Sequence, residues 1–309
     1  LDLTALRYFF ETALAGSIRQ AAERVHVAPS AISRQIAKLE HELGTALLER
    51  RSNGVRLTPA GELLAKQMQL TVRDITRVRS QIDELKGLRR GEVSLWCIEG
   101  LVDNYLPDVI GRFTQQYPEI TFNIVITSTD RIVQALIADE AEIGIALNAS
   151  LKQPIVNSGG WSEPVQAIVA PGHPLANRTS VTLSELTEFK AALPDTTFGV
   201  RRLVDRILES QGTVLRVLAT TNSIQMTASI ARQGIAFTLM PYFAVARDCA
   251  AGSLVAVPLA ETEMEMACVE FCTHESRRLP LAAREFLNFL KSSAPASHNP
   301  RKKRLHAVA

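Results

Sequence analysis

Between Leu64 and Leu85 an apolar residue returns every three or four positions: Leu64, Met68, Thr71, Ile75, Val78, Ile82 and Leu85, with Thr71 the one polar member. A 3.5-residue period marks a seam that meets another helix, not one face of a globular core. Thr58 as N-cap and Pro59 as first helical residue start this helix. It ends near Gly87, a rod of roughly 45 Å at 1.5 Å per residue. Such a stripe must be covered. A second copy of the chain covers it most simply; the chain's own later domain is the alternative. The rod separates a front domain, residues 1–57, from a rear one, and 309 residues suffice for separate cores.

The front domain reads as helices and a hairpin. Leu3, Leu6, Phe9, Phe10, Thr12, Ala13 and Leu14 read as a first helix closing the core of this domain. Ser17 with Gln20 is a capping box. Ala21, Ala22 and Val25 follow as a stripe of small residues that lets another helix come close. The pattern breaks at His26-Val27-Ala28 and restarts at Pro29. Ile32, Ile36, Leu39 and Leu43 then form one buried face, while Ser30, Ser33, Arg34 and Lys38 occupy the opposite one, and Gly44 stops the helix. Two short helices so arranged are a helix-turn-helix, in which the first braces the second for a major groove. A generic helical hairpin with a solvated face is the competing reading. Asn53-Gly54 next signals a hairpin turn, flanked by Arg50, Arg51 and Arg56, a basic wing suited to phosphates or a minor groove. Helix pair and wing together favour DNA.

The run GSIRQAAERVHVAPSAISRQIAKLEHELGTALLERRSNGVRLTPAGE resembles the DNA-binding domain of LysR-type transcriptional regulators. The resemblance is carried by Ala21-Ala22, Ser33-Arg34-Gln35-Ile36, Leu39-Glu40, Leu43-Gly44, Arg50 and Leu57-Thr58-Pro59-Ala60-Gly61. It implies that Ser17, Pro29, Ser30, Ser33, Arg34 and Lys38 face double-stranded DNA and that Arg51 and Arg56 serve the wing. Ala31 is a packing residue that also has reach to a thymine methyl. The family places its dimerising linker helix at residues 58–87 and assembles as a homotetramer, with RNA polymerase a further expected partner.

Beyond Gly91 the period changes. GEVSLWCIEG is a strand and turn, residues 103–117 a helix with Leu106, Val109, Ile110 and Phe113 inward, TFNIVITS a strand, residues 129–138 a helix, and AEIGIALN a buried strand. VQAIVAP, SLVAVPL and MEMACVEFCT are later strands, and an amphipathic helix closes at Leu281–Ser292. This alternation implies a parallel sheet covered on both faces. The fold expected is a winged helix-turn-helix, a linker helix and a two-lobed α/β domain at residues 88–292. By resemblance, the last is an effector-binding domain built like a periplasmic binding protein. Lobe I takes residues 88–161 and 265–292; lobe II takes 162–264.

In open α/β sheets, ligands lie beyond the carboxyl ends of strands. That rule selects Ile98, Glu99, Gly100 and Leu101; Ser128, Thr129 and Asp130; Leu147, Asn148 and Ala149; Phe198, Gly199 and Arg201; and Thr221, Asn222 and Ser223. Glu99 favours an amine and Arg201 or Arg202 a carboxylate, hence an amino-acid-like effector. Alternatively, Glu99 caps a helix or pairs with an arginine across the cleft.

Lys plus Arg number 34 and Asp plus Glu 32, so net charge alone does not announce a DNA binder. No apolar run is long enough to span a membrane, and no basic-then-apolar leader opens the chain. A cytoplasmic protein is expected. Nucleophile-elbow, Walker, zincin and dinucleotide motifs are lacking, so neither enzyme activity nor a cofactor is expected. Cys268 and Cys272 share a strand face with His274 nearby, and read as structural thiols rather than a metal site. The tail from Ala294, with basic residues Arg301–Arg304, reads as disordered. The chain is therefore expected to be a ligand-responsive DNA-binding regulator. The opposing reading is a solute-binding or enzymatic α/β protein carrying an interaction module.

Overall fold

Small residues let the first helices close on one another. A computed structural model describes residues 2–51, 54–85, 90–261 and 267–295, in two units divided between Ile82 and Asp83. In the first unit, α1 (Leu3–Ala15) starts on Asp2, whose side chain accepts the Thr4 N–H, and ends at Gly16 with φ 65°. α2 (Ile18–Val25) is capped by Ser17, which accepts the Gln20 N–H at 3.5 Å. The Gln20 side chain stays exposed, so the expected capping box is formed only by its serine half. α3 (Pro29–Leu43) begins with proline in its first turn and ends at Gly44, φ 67°. Ala21 and Ala22 of α2 lie buried with Ile32, Ile36 and Leu39 of α3, Ala5 and Phe9 of α1, and Leu47. Each large member contributes about 1.5–3 kcal/mol by leaving water. Leu3 and Leu14, expected in this core, are 81% and 60% exposed.

β1 (Leu48–Arg51) and β2 (Gly54–Leu57) form the wing, with Arg51 opposite Gly54. The wing is tied in twice. The Val55 N–H donates to the Gly16 carbonyl at 2.9 Å. The Glu40 carboxylate accepts the N–H groups of Leu47 and Leu48 at 2.7 and 3.1 Å. Ser52, Asn53 and the Arg50 side chain lie outside the described residues. α4 (Pro59–Leu85) follows, 27 residues long. Thr58 accepts the Gly61 N–H at 3.1 Å and donates to the Ala46 carbonyl at 2.7 Å. Gly61 has no substitute, because a Cβ there would lie 2.1 Å from the Leu47 carbonyl oxygen. Along the seam, Leu64 packs on the domain core, whereas Ile75, Val78 and Ile82 are exposed. Gly87 and the Leu85 side chain lie outside the described residues.

The second unit opens with β3 (Gly91–Cys97), α5 (Tyr105–Gln116), β4 (Ile120–Ile126), α6 (Thr129–Ile137), β5 (Ile143–Leu147) and β6 (Ile155–Ser162). The chain then crosses into lobe II: β7 (Val165–Val169), α7 (Leu183–Leu186), β8 (Lys190–Pro194), α8 (Gly199–Ser210), β9 (Arg216–Thr221), α9 (Ile224–Arg232), β10 (Thr238–Pro241), α10 (Ala246–Ala250) and β11 (Val255–Pro258). It returns with β12 (Cys268–His274) and α11 (Leu281–Ser293). MEMACVEFCT thus supplies a lobe I strand, and its first three residues lie outside the described ones.

The lobe I sheet has the order β4-β3-β5-β12-β6. β3 pairs parallel with β4 and β5, whereas β12 runs antiparallel to β5 and β6. The sheet is therefore mixed rather than parallel throughout. The reason is topological: a strand bringing the chain back from lobe II must run against those whose carboxyl ends face that lobe. Phe113 of α5 and Phe286 of α11 meet edge to face at 5.0 Å on one side, and buried Ile132 and Leu136 of α6 belong to the same core. β4 is an edge, with Ile124 and Ile126 38% and 41% exposed, so the expected cover on both faces is incomplete there. In lobe II, β7 lies between antiparallel β10 and β11, and β8 pairs parallel with β9. Hydrogen bonds of Phe237 with Lys190 and Ala192 join the two groups.

Candidate DNA interface and effector cleft

Burying one face of α3 commits the other to solvent. Pro29, Ser30, Arg34 and Lys38 are exposed, and Ala31 and Ser33 are half-buried beside them. Among the described residues, no hydrogen bond or ion pair occupies Arg34 or Lys38, so both charges are free for an external anion. Ser17 sits half-buried at the α2 cap. In the wing, Arg56 is exposed opposite Glu49. Arg51 reaches Glu49 at 3.5 Å with more than half of each side chain exposed, a pairing too solvated to hold the arginine in place.

In the second unit, two cavities lie where the lobes meet. The inner one holds only about 20 Å³ and is lined by Ile98, Gly100, Thr129, Leu147, Phe198, Gly199, Val200, Ile224, Met240, Pro241, Phe243 and Ala244. That is room for about one water. The outer one, about 460 Å³, is lined by Glu99, Ile126, Thr127, Ser128, Arg131, Asp195, Thr197, Phe198 and Asn222. Its size suits a small molecule. The lobes approach closely at the inner cavity: a Cβ on Gly199 would lie 1.7 Å from the Leu147 carbonyl oxygen. The Thr129 hydroxyl lies 3.3 Å from that same oxygen.

The residues expected at strand ends are thus divided. Glu99, Ser128, Phe198 and Asn222 line the outer cleft; Ile98, Gly100, Thr129, Leu147 and Gly199 line the inner cavity, with Phe198 reaching both. Leu101, Asn148, Arg201, Thr221 and Ser223 line neither. Leu101 is fully buried in the core. Asn148, at φ 46°, pins the end of β5 to β12 by accepting the Cys268 N–H at 2.6 Å. The Thr221 hydroxyl accepts the Ser223 N–H at 3.3 Å. Ala149 donates its N–H to Glu270.

The charges expected to hold an amino-acid-like molecule have internal partners. Arg201 grips Asp205 at 2.8 and 2.9 Å and donates to the Pro194 carbonyl. Arg202 pairs with Asp130 across the lobes at 2.9 Å and donates to the carbonyls of Thr196 and Thr197. Glu99 is the cap across the cleft that the sequence allowed as an alternative. Its carboxylate accepts the Ser223 hydroxyl at 2.9 Å, the Ile224 N–H at 2.5 Å and the Gln225 N–H at 3.3 Å. Gln225 also bonds Asp103, and Asn104 donates to the Phe243 carbonyl at 3.3 Å.

Arg131 is the cleft cation that the strand-end rule passes over. It stands in the first turn of α6, exposed and without a hydrogen bond or ion pair among the described residues. Its signal in the chain was its place just after Ser128-Thr129. Met240 and Pro241 were missed because β10 is only four residues long and buried throughout, without any alternation to reveal it. The thiols lie apart from the outer cleft. Burial pushes Cys97 up to about 12, and burial with the nearby Glu270 charge does the same to Cys272. No group of His, Cys, Asp and Glu able to hold a metal occurs among the described residues.

The model of the LysR substrate binding domain matches residues 86–295, and that of the bacterial regulatory helix-turn-helix protein, lysR family, matches residues 3–62. The chain belongs to the LysR family. The Bacillus subtilis transcriptional dual regulator GltC is similar, 28% identical over 293 residues that cover 94% of this chain and 96% of that one. So is the RuBisCO operon transcriptional regulator of Allochromatium vinosum, 24% identical over 303 residues, with 96% and 98% covered. The fold resembles that of full-length CbnR complexed with its target DNA, at TM-score 0.71 and 20% identity, covering 95% of this chain and all of that one. This LysR chain is a DNA-binding transcriptional regulator, and its second unit is an effector-binding domain. No helix among the described residues is long and apolar enough to cross a membrane.

Proposed function

We propose that α3 enters the major groove with Pro29, Ser30, Ser33, Arg34 and Lys38 toward the bases and phosphates, Ala31 beside them. Ser17 and the wing residues Arg51 and Arg56 flank it on the backbone. The observation that carries this reading is the division of α3, apolar and buried on one face, exposed and cationic on the other. Two copies join along the α4 seam, where Ile75, Val78 and Ile82 are exposed, and dimers pair into tetramers. The two recognition helices then meet two half-sites of a pseudo-palindrome. A small molecule in the outer cleft shifts the balance between lobe arrangements, and with it the spacing of the DNA-binding units on the operator. RNA polymerase is the partner at the promoter. The chain works in the cytoplasm, by binding rather than by catalysis.

The test is fluorescence anisotropy on DNA from the intergenic region upstream of the protein's own coding sequence, with a scrambled duplex and two salt concentrations. Tight binding that survives salt on the native duplex alone is expected. Equal, salt-sensitive binding to both duplexes rejects sequence-specific reading of this region.

A further inference from the structure

The acids around the outer cleft are already engaged, and its cation is not. Glu99 gives both carboxylate oxygens to Ser223, Ile224 and Gln225. Asp130 pairs with Arg202 at 2.9 Å. Asp195 accepts the Thr197 N–H at 2.9 Å and the Thr197 hydroxyl at 2.5 Å, both on Oδ1. Arg131 lines the same space, exposed, with no hydrogen bond or ion pair among the described residues.

A hydroxyl is left over beside it. Ser128 precedes α6 with φ −75° and ψ 157°, the backbone of an ordinary N-cap, yet its side chain makes no capping hydrogen bond. Ser128 is only 9% exposed, lines the outer cleft, and its hydroxyl has no partner among the described residues. A buried hydroxyl left without a partner costs stability, so its place on a cleft wall points to a ligand that bonds it. Ser128 and Arg131 stand three residues apart and so share one side of the helix start. The first turn of α6 adds backbone N–H groups that no helical carbonyl can satisfy. The lobe II wall has the opposite character. Asp195 and Asn222 line it, and Asp195 Oδ2 and the Asn222 side chain have no partner among the described residues.

We propose that the outer cleft takes a molecule with one oxyanion group, a carboxylate or a phosphate, and hydrogen-bond donors at its other end. The oxyanion sits on the Ser128 hydroxyl and the Arg131 guanidinium at the head of α6. The donors, amine or hydroxyl, face Asp195 and Asn222. With two carboxylates and one guanidinium on its walls, the cleft disfavours a polyanion. An amino acid, a hydroxy acid or a sugar monophosphate belongs to the class; a tricarboxylate does not. The proposal rests on reading the outer cleft as the effector site.

The seat is tested on the full chain by thermal unfolding in sodium acetate, phosphate and citrate, each against sodium chloride at equal ionic strength. An ion bound to the folded chain raises the melting temperature. Wild type should rise saturably with acetate or phosphate, and the anion with the lower half-saturating concentration distinguishes a carboxylate ligand from a phosphate. Arg131→Gln should match wild type in chloride, because its guanidinium bonds nothing in the described fold, and should lose the rise. Ser128→Ala should need several-fold more anion. A wild type that rises with neither anion overturns the seat, as does an Arg131→Gln variant that rises as wild type does. Citrate acting at a lower concentration than acetate and phosphate overturns the single-oxyanion class. Thr197→Trp, which sets an indole into the cleft from lobe II, separates failure of the seat from failure of the cleft. A rise kept by Arg131→Gln but lost in Thr197→Trp puts the anion elsewhere in the cleft; a rise kept by both removes the cleft as its site.

Discussion

Glu40, on α3, accepts the Leu47 N–H at 2.7 Å and so fixes where the wing begins relative to the exposed, cationic face of that helix. With the second bond, to Leu48 at 3.1 Å, one carboxylate holds two part-buried backbone donors. Glu40→Ala leaves both without that acceptor, and hydrogen bonds to charged groups are worth about 1.5–3 kcal/mol each. We expect a loss of about 3 kcal/mol or more in stability of the first unit, read by urea unfolding, with weaker DNA binding.

Arg34 and Arg51 should fail differently. Arg34→Ala removes a proposed base contact, at about 1–3 kcal/mol on the native operator and less on scrambled DNA. Arg51→Ala removes a proposed phosphate contact, weakening both duplexes alike and lowering the salt slope by about one. Anisotropy titrations over a salt series separate the two. Equal losses of Arg34→Ala on both duplexes argue against its reading bases.

The α4 seam predicts a concentration-dependent assembly. Ile75→Asp together with Val78→Asp places two charges on the proposed apolar contact between helices. Sedimentation should show the proposed tetramer replaced by smaller species, with operator affinity falling by about tenfold or more because each half-site is then bound separately. An unchanged sedimentation profile removes α4 as the contact.

At Gly199 the lobes leave no room for a side chain. Gly199→Val sets carbon atoms against the Leu147 carbonyl, and overpacking of this kind costs about 1–3 kcal/mol or more. A lowered melting temperature with operator binding retained is expected, since the first unit keeps its own core. Full stability in the variant contradicts the close approach.

The buried thiols give an alkaline limit. Cys97 and Cys272 rise from the ordinary 9.0 to about 12 in the fold. Between those values the unfolded chain loses protons that the folded chain keeps. Their contribution is full below pH 9 and disappears as pH climbs from about 9 toward 12. The stability gap between wild type and Cys97→Ala should therefore narrow from pH 8 to pH 10.5 in urea titrations. A constant gap argues against the raised value.

The helix pair is legible in the chain because each boundary has its own chemistry: a hydroxyl at Ser17, a proline at Pro29, a glycine at Gly44. The seam is legible because its period runs for seven members. Lobe II is harder to read. Short buried strands such as β8 and β10 lack alternation, and the Gly159-Gly160 pair of β6 obscures an otherwise ordinary edge strand. The strand-end rule locates the cleft without dividing it. It cannot show that Thr129 and Leu147 close the inner part, or that Arg201 is held by Asp205, because both depend on neighbours brought together only by the fold.

The order of synthesis takes on meaning in the return strand. β12 lies between β5 and β6, yet the ribosome makes it only after all of lobe II. While the chain emerges, lobe II has every strand it needs, whereas lobe I waits for its fourth sheet position and for Phe286 and Phe289 of α11 to cover Phe113. The half that carries Glu99 is started first and sealed last. A nascent chain stopped after β11 presents a closed second lobe beside an open first one, which makes premature termination there a direct route to chaperone capture.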